Sequence, residues 1–356
     1  ATLPCEMGRK GRAVPASSAK ALEVCGDTSR LGVSAADVFA QFAVAPASVS
    51  EDAAAASAPP TIDDAEVSLA LHALQKKDSQ TRLRGVGELQ ELLVARPAEA
   101  LREVCVPFLH IYRRLWPQDA EPRVREGLQR CLQALLETLQ RDFQRHLRSA
   151  FPTWLCAMFD THSEVAQAAR KAFVASFASD ERRRGVFRLC QGECRALLVA
   201  NLHHSEQSLH DELGISAGAG SGDKNVALER QDRYTRVIAA SLSGLGELVH
   251  VCSAPVPPPT SGKPVSPAVE PLTAAELELF FTSGSACGLW TRLASKQPPL
   301  VRRAAAECLV RVLQSHAGNS DCATVATRSA AINVLADEAV PPATACMLLC
   351  SFAETG

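Results

Sequence analysis

From Thr61 onward, apolar residues recur every three or four positions, the spacing that gives an α-helix one apolar face. Ile62, Val67, Leu69, Leu71 and Leu74 open the pattern, with Asp63 or Asp64 placed to accept the first free N–H groups of a helix. A polar stretch, Lys76-Lys77-Asp78-Ser79-Gln80-Thr81-Arg82-Leu83-Arg84, then gives way to Val86, Leu89, Leu92 and Leu93. Pro97 predicts a stop and a restart, because it has no N–H to give to a preceding turn. Leu101, Val104, Phe108, Ile111 and Leu115 carry the next helix to Trp116-Pro117. The same order then returns twice. Asp119-Ala120-Glu121-Pro122-Arg123-Val124-Arg125 precedes Leu128, Cys131, Leu132, Leu135 and Leu136, and Asp160-Thr161-His162-Ser163-Glu164-Val165 precedes Ala168, Ala169, Ala172, Phe173 and Phe177. Asp78, Asp119 and Asp160 are each 41 residues apart, and so are Leu83, Val124 and Val165. The spacing predicts that each Asp caps the second helix of a pair and that the apolar residue after it begins the buried stripe.

A unit of about 40–47 residues built from two helices is the signature of a HEAT-type array. Each pair has an apolar face that only a neighbouring pair can cover, so the units must stack. The pattern therefore predicts an all-α chain, a HEAT/armadillo-like α-solenoid with a flexible N-terminal arm. Residues 61–202 are expected to form HEAT repeats and residues 231–250 a further solenoid helix. Residues 203–230, with Gly214, Gly218, Gly220 and Gly222, are expected as a flexible insertion. Residues 251–271 carry seven prolines and read as a second, Pro-rich insertion. Residues 272–356 should hold further HEAT-like repeats, with a weaker unit from Pro298 to Leu313 and a truncated one at the end. The apolar run Met347–Phe352 suggests an array that continues in a longer protein. Residues 1–60 break the helical pattern. Arg9, Lys10, Arg12 and Lys20 stand among Gly, Ala, Ser and Pro, and Ala43–Pro60 is almost entirely small residues. This stretch reads as a flexible basic arm followed by an Ala/Ser/Pro linker, too poor in apolar groups to offset its chain entropy.

Composition narrows the picture further. Hydrophobic residues make up 47% of the 356 and aromatics only 5%, with Ala and Leu dominant, which suits helices rather than strands. The net charge of −2 excludes a uniformly basic, histone-like binder, but not a basic face offset by an acidic one. Indeed residues 51–75 hold five acids and no Lys or Arg, whereas Lys76–Arg148 holds 14 Lys and Arg against 10 Asp and Glu. Lys76, Lys77, Arg82, Arg84, Arg123 and Arg125 fall at turns, where a stack of helix pairs presents its edge, and with Arg9, Lys10, Arg12 and Lys20 they are the candidate docking residues. Thirteen scattered cysteines, an odd number, fit reduced, mostly buried thiols of a cytosolic or nuclear protein. No apolar run of about 18 residues is present, so no membrane span is expected.

Catalytic chemistry finds little footing. Cys190 and Cys194 followed by His203-His204 offer four possible zinc ligands, but cysteines one turn apart on an amphipathic helix are more simply core residues. Cys346 and Cys350 read the same way. Gly214-Ile215-Ser216-Ala217-Gly218 fits the nucleophile-elbow pattern without the strand and helix that would strain the turn. Cys105, His110 and Asp119 have nothing to orient them. No cofactor is expected in this chain. If one of the thiols were catalytic, its pKa should be depressed.

The order of short motifs resembles a known family. Lys76-Lys77-Asp78 with Thr81-Arg82-Leu83-Arg84, Arg123-Val124-Arg125-Glu126, Phe151-Pro152 with Trp154-Leu155, and Ala169-Arg170-Lys171-Ala172-Phe173 are similar to the N-terminal region of listerin-type RING E3 ubiquitin ligases. Arg233-Tyr234 with Arg236-Val237, Trp290 and the arm from Met7 extend the likeness. The resemblance implies a docking scaffold rather than a catalytic module. Such ligases act in ribosome-associated quality control, in the cytosol. Their N-terminal region contacts the large ribosomal subunit (rRNA and ribosomal proteins) and a peptidyl-tRNA binder of nuclear export mediator factor type. A C-terminal RING, absent here, holds the zinc, recruits the ubiquitin-conjugating enzyme and modifies stalled nascent chains. The alternative from the repeats alone is a protein-binding HEAT scaffold of transport-receptor or phosphatase-subunit type.

Overall fold

The computed structural model describes residues 64–214, 224–253, 292 and 296–316. Those residues form helices and turns, with no strand among them. The first pair is α1 (Ala65–Ala73) and α2 (Ser79–Ala95), the second α3 (Ala98–Gln118) and α4 (Pro122–Leu139). A 3-10 segment, Gln140–His146, leads into the third pair, α5 (Leu147–Ala157) and α6 (Ser163–Ser176). Beyond them come α7 (Asp180–Leu189), α8 (Gln191–His203), α9 (Glu206–Glu212), the 30-residue α10 (Lys224–Ser253) and α11 (Pro299–His316).

The local signals explain most of the boundaries. Asp64 accepts the Glu66 and Val67 N–H groups at 3.0 and 3.2 Å, and Asp78 accepts that of Thr81 at 2.7 Å, so both are the helix caps their positions predict. Pro97 stands at the start of α3 and Pro122 in the first turn of α4. The three pairs stack as expected. Helices α2, α4 and α6 lie side by side, with α1, α3 and α5 as the second layer. Leu89, Leu93, Leu128, Leu132, Leu135, Ala169 and Phe173 close the space between the layers. Gly127 lets α2 and α4 approach closely, since a Cβ there would stand 2.7 Å from Val86 Cγ1. At the far end, Phe151 meets Phe173 and Phe187 at centroid distances of 5.5 and 5.1 Å, which joins α5, α6 and α7.

The 41-residue spacing holds, but not for the reason the sequence suggested. Asp119 and Asp160 do not cap helices. Glu121 caps α4 by accepting the Arg123 N–H, and His162 precedes α6 without a side-chain cap. Asp119 instead accepts the Glu121 N–H at 2.9 Å and Asp160 that of His162 at 2.9 Å, each shaping its own turn. The rest of each carboxylate goes to the preceding pair. Arg82 donates to Asp119 from Nε at 2.6 Å and from Nη2 at 3.0 Å. Arg125 does the same to Asp160 at 3.0 and 3.1 Å. Each arginine also binds the carbonyls at the end of its own pair's first helix, Lys76 and Lys77 for Arg82, Asp119 and Ala120 for Arg125. Each arginine is the fourth residue of its helix, and Ala166 stands at that place in α6, so this ladder stops there.

After α6 the register changes. Helix α8 packs on α5 and α10, and α11 packs on α10. The weak fourth unit is thus a real helix, with Val301, Ala304, Ala305, Cys308 and Leu309 buried. The expected flexible insertion at 203–230 needs correction, because its two ends are helical. Ser205 and Ser208 form a reciprocal capping box for α9, which a scan for Ser/Thr followed by Glu or Gln passes over. Helix α10 begins at Lys224, seven residues before the expected start of the solenoid helix at 231. The 1–60 arm, the 251–271 insertion beyond Ser253 and most of 272–356 lie outside the described residues.

Candidate functional site

The ten candidate docking residues separate sharply once burial and partners are known. Arg9, Lys10, Arg12 and Lys20 lie outside the described residues. Lys76 and Lys77 are exposed in the α1–α2 turn, with Lys76 Nζ 2.9 Å from His72 Nε2. Arg84 is exposed and pairs with Glu88 at 3.2 Å. Arg123 is exposed in the first turn of α4. Arg82 and Arg125 are a different class. Arg125 is only 2% exposed and Arg82 keeps 14% of its side chain in solvent, both with their forks filled by carboxylate and carbonyl oxygens. Those two hold repeats together and are not available as a docking edge. Exposed Lys76, Lys77, Arg84 and Arg123 remain.

Arginines elsewhere do the same internal work. Helix C-termini carry unpaired carbonyls and a partial negative charge, and a guanidinium answers both. Arg233 Nε reaches Gln118 O at 2.8 Å, and Arg236 Nη2 reaches Pro117 O at 2.9 Å, so α10 caps the end of α3. Arg292 Nη2 binds Leu202 O at 2.6 Å and His204 O at 3.2 Å at the end of α8. Arg183 binds Phe177 O at 2.7 Å beyond α6 and pairs with Asp180. Desolvation, followed by the repulsion of Arg125, lowers the Arg236 pKa to about 9. The charge is still retained at neutral pH. Sequence reading gives Arg233 and Arg236 only as part of a family likeness and passes over Arg292, because the carbonyls they bind lie 88 to 120 residues away.

The remaining chemical candidates disperse. Cys105 is buried and His110 exposed on α3, five residues and about 140° apart on the helix, while Asp119 is taken by Arg82. Cys190 and Cys194 are fully buried, whereas His204 turns to Glu212, Nε2 to Oε2 at 2.8 Å. Among the described residues no group of three His, Cys, Asp or Glu is placed to hold a metal. Burial pushes the thiols up, Cys105, Cys156, Cys190 and Cys308 each to about 12 and Cys252 to about 11, the reverse of what a nucleophilic cysteine needs. Ser216 and Cys346 lie outside the described residues, and Gly214 ends α9 at φ +64°. The open face of the α2–α4–α6 layer holds a groove of about 540 Å³ lined by Gln90, Val94, Glu126, Arg130, Glu137 and Lys171. There Arg130 pairs with Glu126 at 2.5 Å, and Glu137 accepts from the neutral amide of Gln133 at 2.7 Å. No described helix is long and apolar enough to cross a membrane.

Stacked helix pairs tied by an arginine–aspartate ladder define a helical-repeat protein. Residues 62–352 match the family described as "E3 ubiquitin-protein ligase listerin, N-terminal domain". The chain belongs to that family. It is 28% identical over 238 residues to the E3 ubiquitin-protein ligase listerin of Drosophila melanogaster, covering 65% of this chain and 13% of that protein. The listerins of Gallus gallus and Mus musculus are 27% and 26% identical over 187 residues, covering 52% of this chain and 10% of each relative. The chain therefore spans about a tenth of the length of the relatives it matches. A solved engineered protein aligns over 82% of this chain at 16% identity and a TM-score of 0.31, a likeness too slight to inform the fold.

Proposed function

We propose that this chain is the N-terminal docking scaffold of a listerin-type E3 ubiquitin ligase. In this reading it holds the large ribosomal subunit and a peptidyl-tRNA binder of nuclear export mediator factor type. A distant RING, with its own zinc and its ubiquitin-conjugating enzyme, then modifies stalled nascent chains in the cytosol. The match of residues 62–352 to the listerin N-terminal domain carries the proposal. The fold supports it physically. A ladder of buried ion pairs fixes one pair of helices against the next, and a stiff array sets the reach between a docking point and a distant module. The exposed basic edge, Lys76, Lys77, Arg84 and Arg123, stands outside the ladder and supplies charge for an anionic particle without weakening it.

The test is co-sedimentation of the chain with isolated large subunits at moderate salt. Wild type should sediment with them. The variant Lys76→Glu, Lys77→Glu, Arg84→Glu, Arg123→Glu should stay in the supernatant with unchanged helicity. Failure of the wild type to sediment would overturn the proposal. Equal sedimentation of the two would remove this edge from it. The α2–α4–α6 groove is the surface that a purely protein-binding scaffold would use, and that reading predicts no dependence on ribosomal particles.

A further inference from the structure

Helices α3 and α5 share an uneven charge that the ladder does not use. Between Glu103 and Asp119, and again between Asp142 and Asp160, the chain has no acidic residue. The fold sets these two acid-free stretches side by side. Arg102 Nη2 meets Asp142 Oδ2 at 2.7 Å at one end, and Arg113 Nη1 lies 3.5 Å from Ser149 Oγ further along. Around and between these crossings stand Arg113, Arg114, Arg145 and Arg148, all exposed, with His110 and His146 among them. Only Arg148 of the four arginines meets a carboxylate among the described residues, Glu193 at 3.3 Å. Arg114 reaches Gln118 Oε1 at 3.3 Å and Arg145 reaches His146 Nε2 at 3.0 Å, neutral partners that leave the positive charge uncancelled. The field is felt locally. Desolvation and then Arg113 and Arg114 lower the pKa of His110, and desolvation and then Arg145 lower that of His146.

We infer that this face of α3, the 3-10 segment and α5 docks the phosphate backbone of RNA. The inference rests on the ribosomal reading above and names the chemistry and the residues of one contact. All four cations are arginines, whose planar fork matches phosphate oxygens in pairs. The acid-free part of α3, from Val104 to Gln118, runs about 21 Å along the helix, room for a row of phosphates rather than one. Phe108, Tyr112, Trp116, Phe143, Phe151 and Trp154 of the same stretches are buried, so none of these six rings is offered for stacking on bases. Binding should therefore follow the backbone and ignore sequence.

Fluorescence anisotropy with a labelled RNA hairpin, titrated at several salt concentrations, tests it. Four phosphate contacts predict a slope of log affinity on log salt of about −3 to −4. The variant Arg113→Glu, Arg114→Glu, Arg145→Glu, Arg148→Glu should lose more than about tenfold in affinity and most of that slope. A control with the same change in net charge, Arg130→Glu, Arg170→Glu, Lys171→Glu, Arg303→Glu, should stay within about twofold. Circular dichroism on both variants checks that the helices remain. Equal losses in the two variants, or none in the first, would overturn the inference. So would an oligoglutamate of matched charge that displaces RNA completely, because the partner would then be an acidic protein. Wild type that binds the hairpin but does not sediment with large subunits leaves this surface standing and removes the docking proposal. Sedimentation that survives the first variant undiminished removes this surface and leaves the docking proposal.

Discussion

Arg125 carries its guanidinium between two repeats, with 3% of its side chain exposed and Asp160 opposite it wholly buried. Trp116 Nε1 donates to the same carboxylate at 3.2 Å and the His162 N–H at 2.9 Å, so three donor groups share one buried anion. Removing one member leaves a charge without its partner in a place that water does not reach. Arg125→Ala should therefore cost about 3–5 kcal/mol in urea unfolding, and Arg125→Lys should restore little, because an ammonium cannot fill two carboxylate oxygens and two carbonyls from one fork. A loss under about 1 kcal/mol would mean that the pair contributes nothing beyond its desolvation cost. The sequence shows the arginines but not their sides. Arg123 and Arg125 lie two residues, about 200°, apart on the helix, so one faces solvent when the other faces the stack. Which one enters depends on where α4 starts, and Glu121 and Pro122 place that start three residues after Asp119 rather than one.

At the scale of the helix, contact distance matters more than pattern. Helices α2 and α4 touch where Val86 meets Gly127, and Cys131 Sγ lies 3.6 Å from Val86 O. Gly127→Ala should destabilise by about 1–3 kcal/mol, because the added methyl would force two packed helices apart. Adding Val86→Ala should recover part of that loss in a double-mutant cycle, a coupling that independent sites would not show. Gly87, on the same helix with open space around it, should behave in the opposite way, and Gly87→Ala should stabilise by up to about 1 kcal/mol. Thermal unfolding of the four variants measures both effects. The sequence treats Gly85, Gly87 and Gly127 alike as weak points in a helical pattern. Only the packing tells a close approach from an open surface.

At the scale of the molecule, the repeat pattern foresees a helix at α10 but not where it returns. Its Arg233 and Arg236 return to the end of α3, and Gln118 Nε2 in turn reaches Leu213 O at 3.2 Å just beyond α9. Helices α9 and α10 are thereby clasped to the second repeat instead of simply following the third. Arg236→Ala should free the Trp116 and Pro117 carbonyls and loosen the clasp. Hydrogen exchange is expected to rise together in α9, the start of α10 and the last turn of α3, with α1 and α2 unchanged. A rise confined to α10 would show that the return contact does not couple the two regions.

Much of this architecture is legible in the chain itself. Apolar spacing defines helices from Thr61 to Phe177, and the 41-residue recurrence of Asp and Val sets the repeat, because both follow from the period of the helix and the length of a helix pair. The use to which the polar residues are put is decided only in three dimensions. Asp119 and Asp160 stand where caps would stand, yet they serve the neighbouring repeat. Arg82 and Arg125 look like surface charge, yet they are ladder rungs. The acid-free stretches around Arg113 and Arg145 carry no meaning until α3 and α5 lie side by side. A charge takes its role from what lies within a few ångströms, and in a stacked array those neighbours come from another repeat, 35 to 120 residues along the chain.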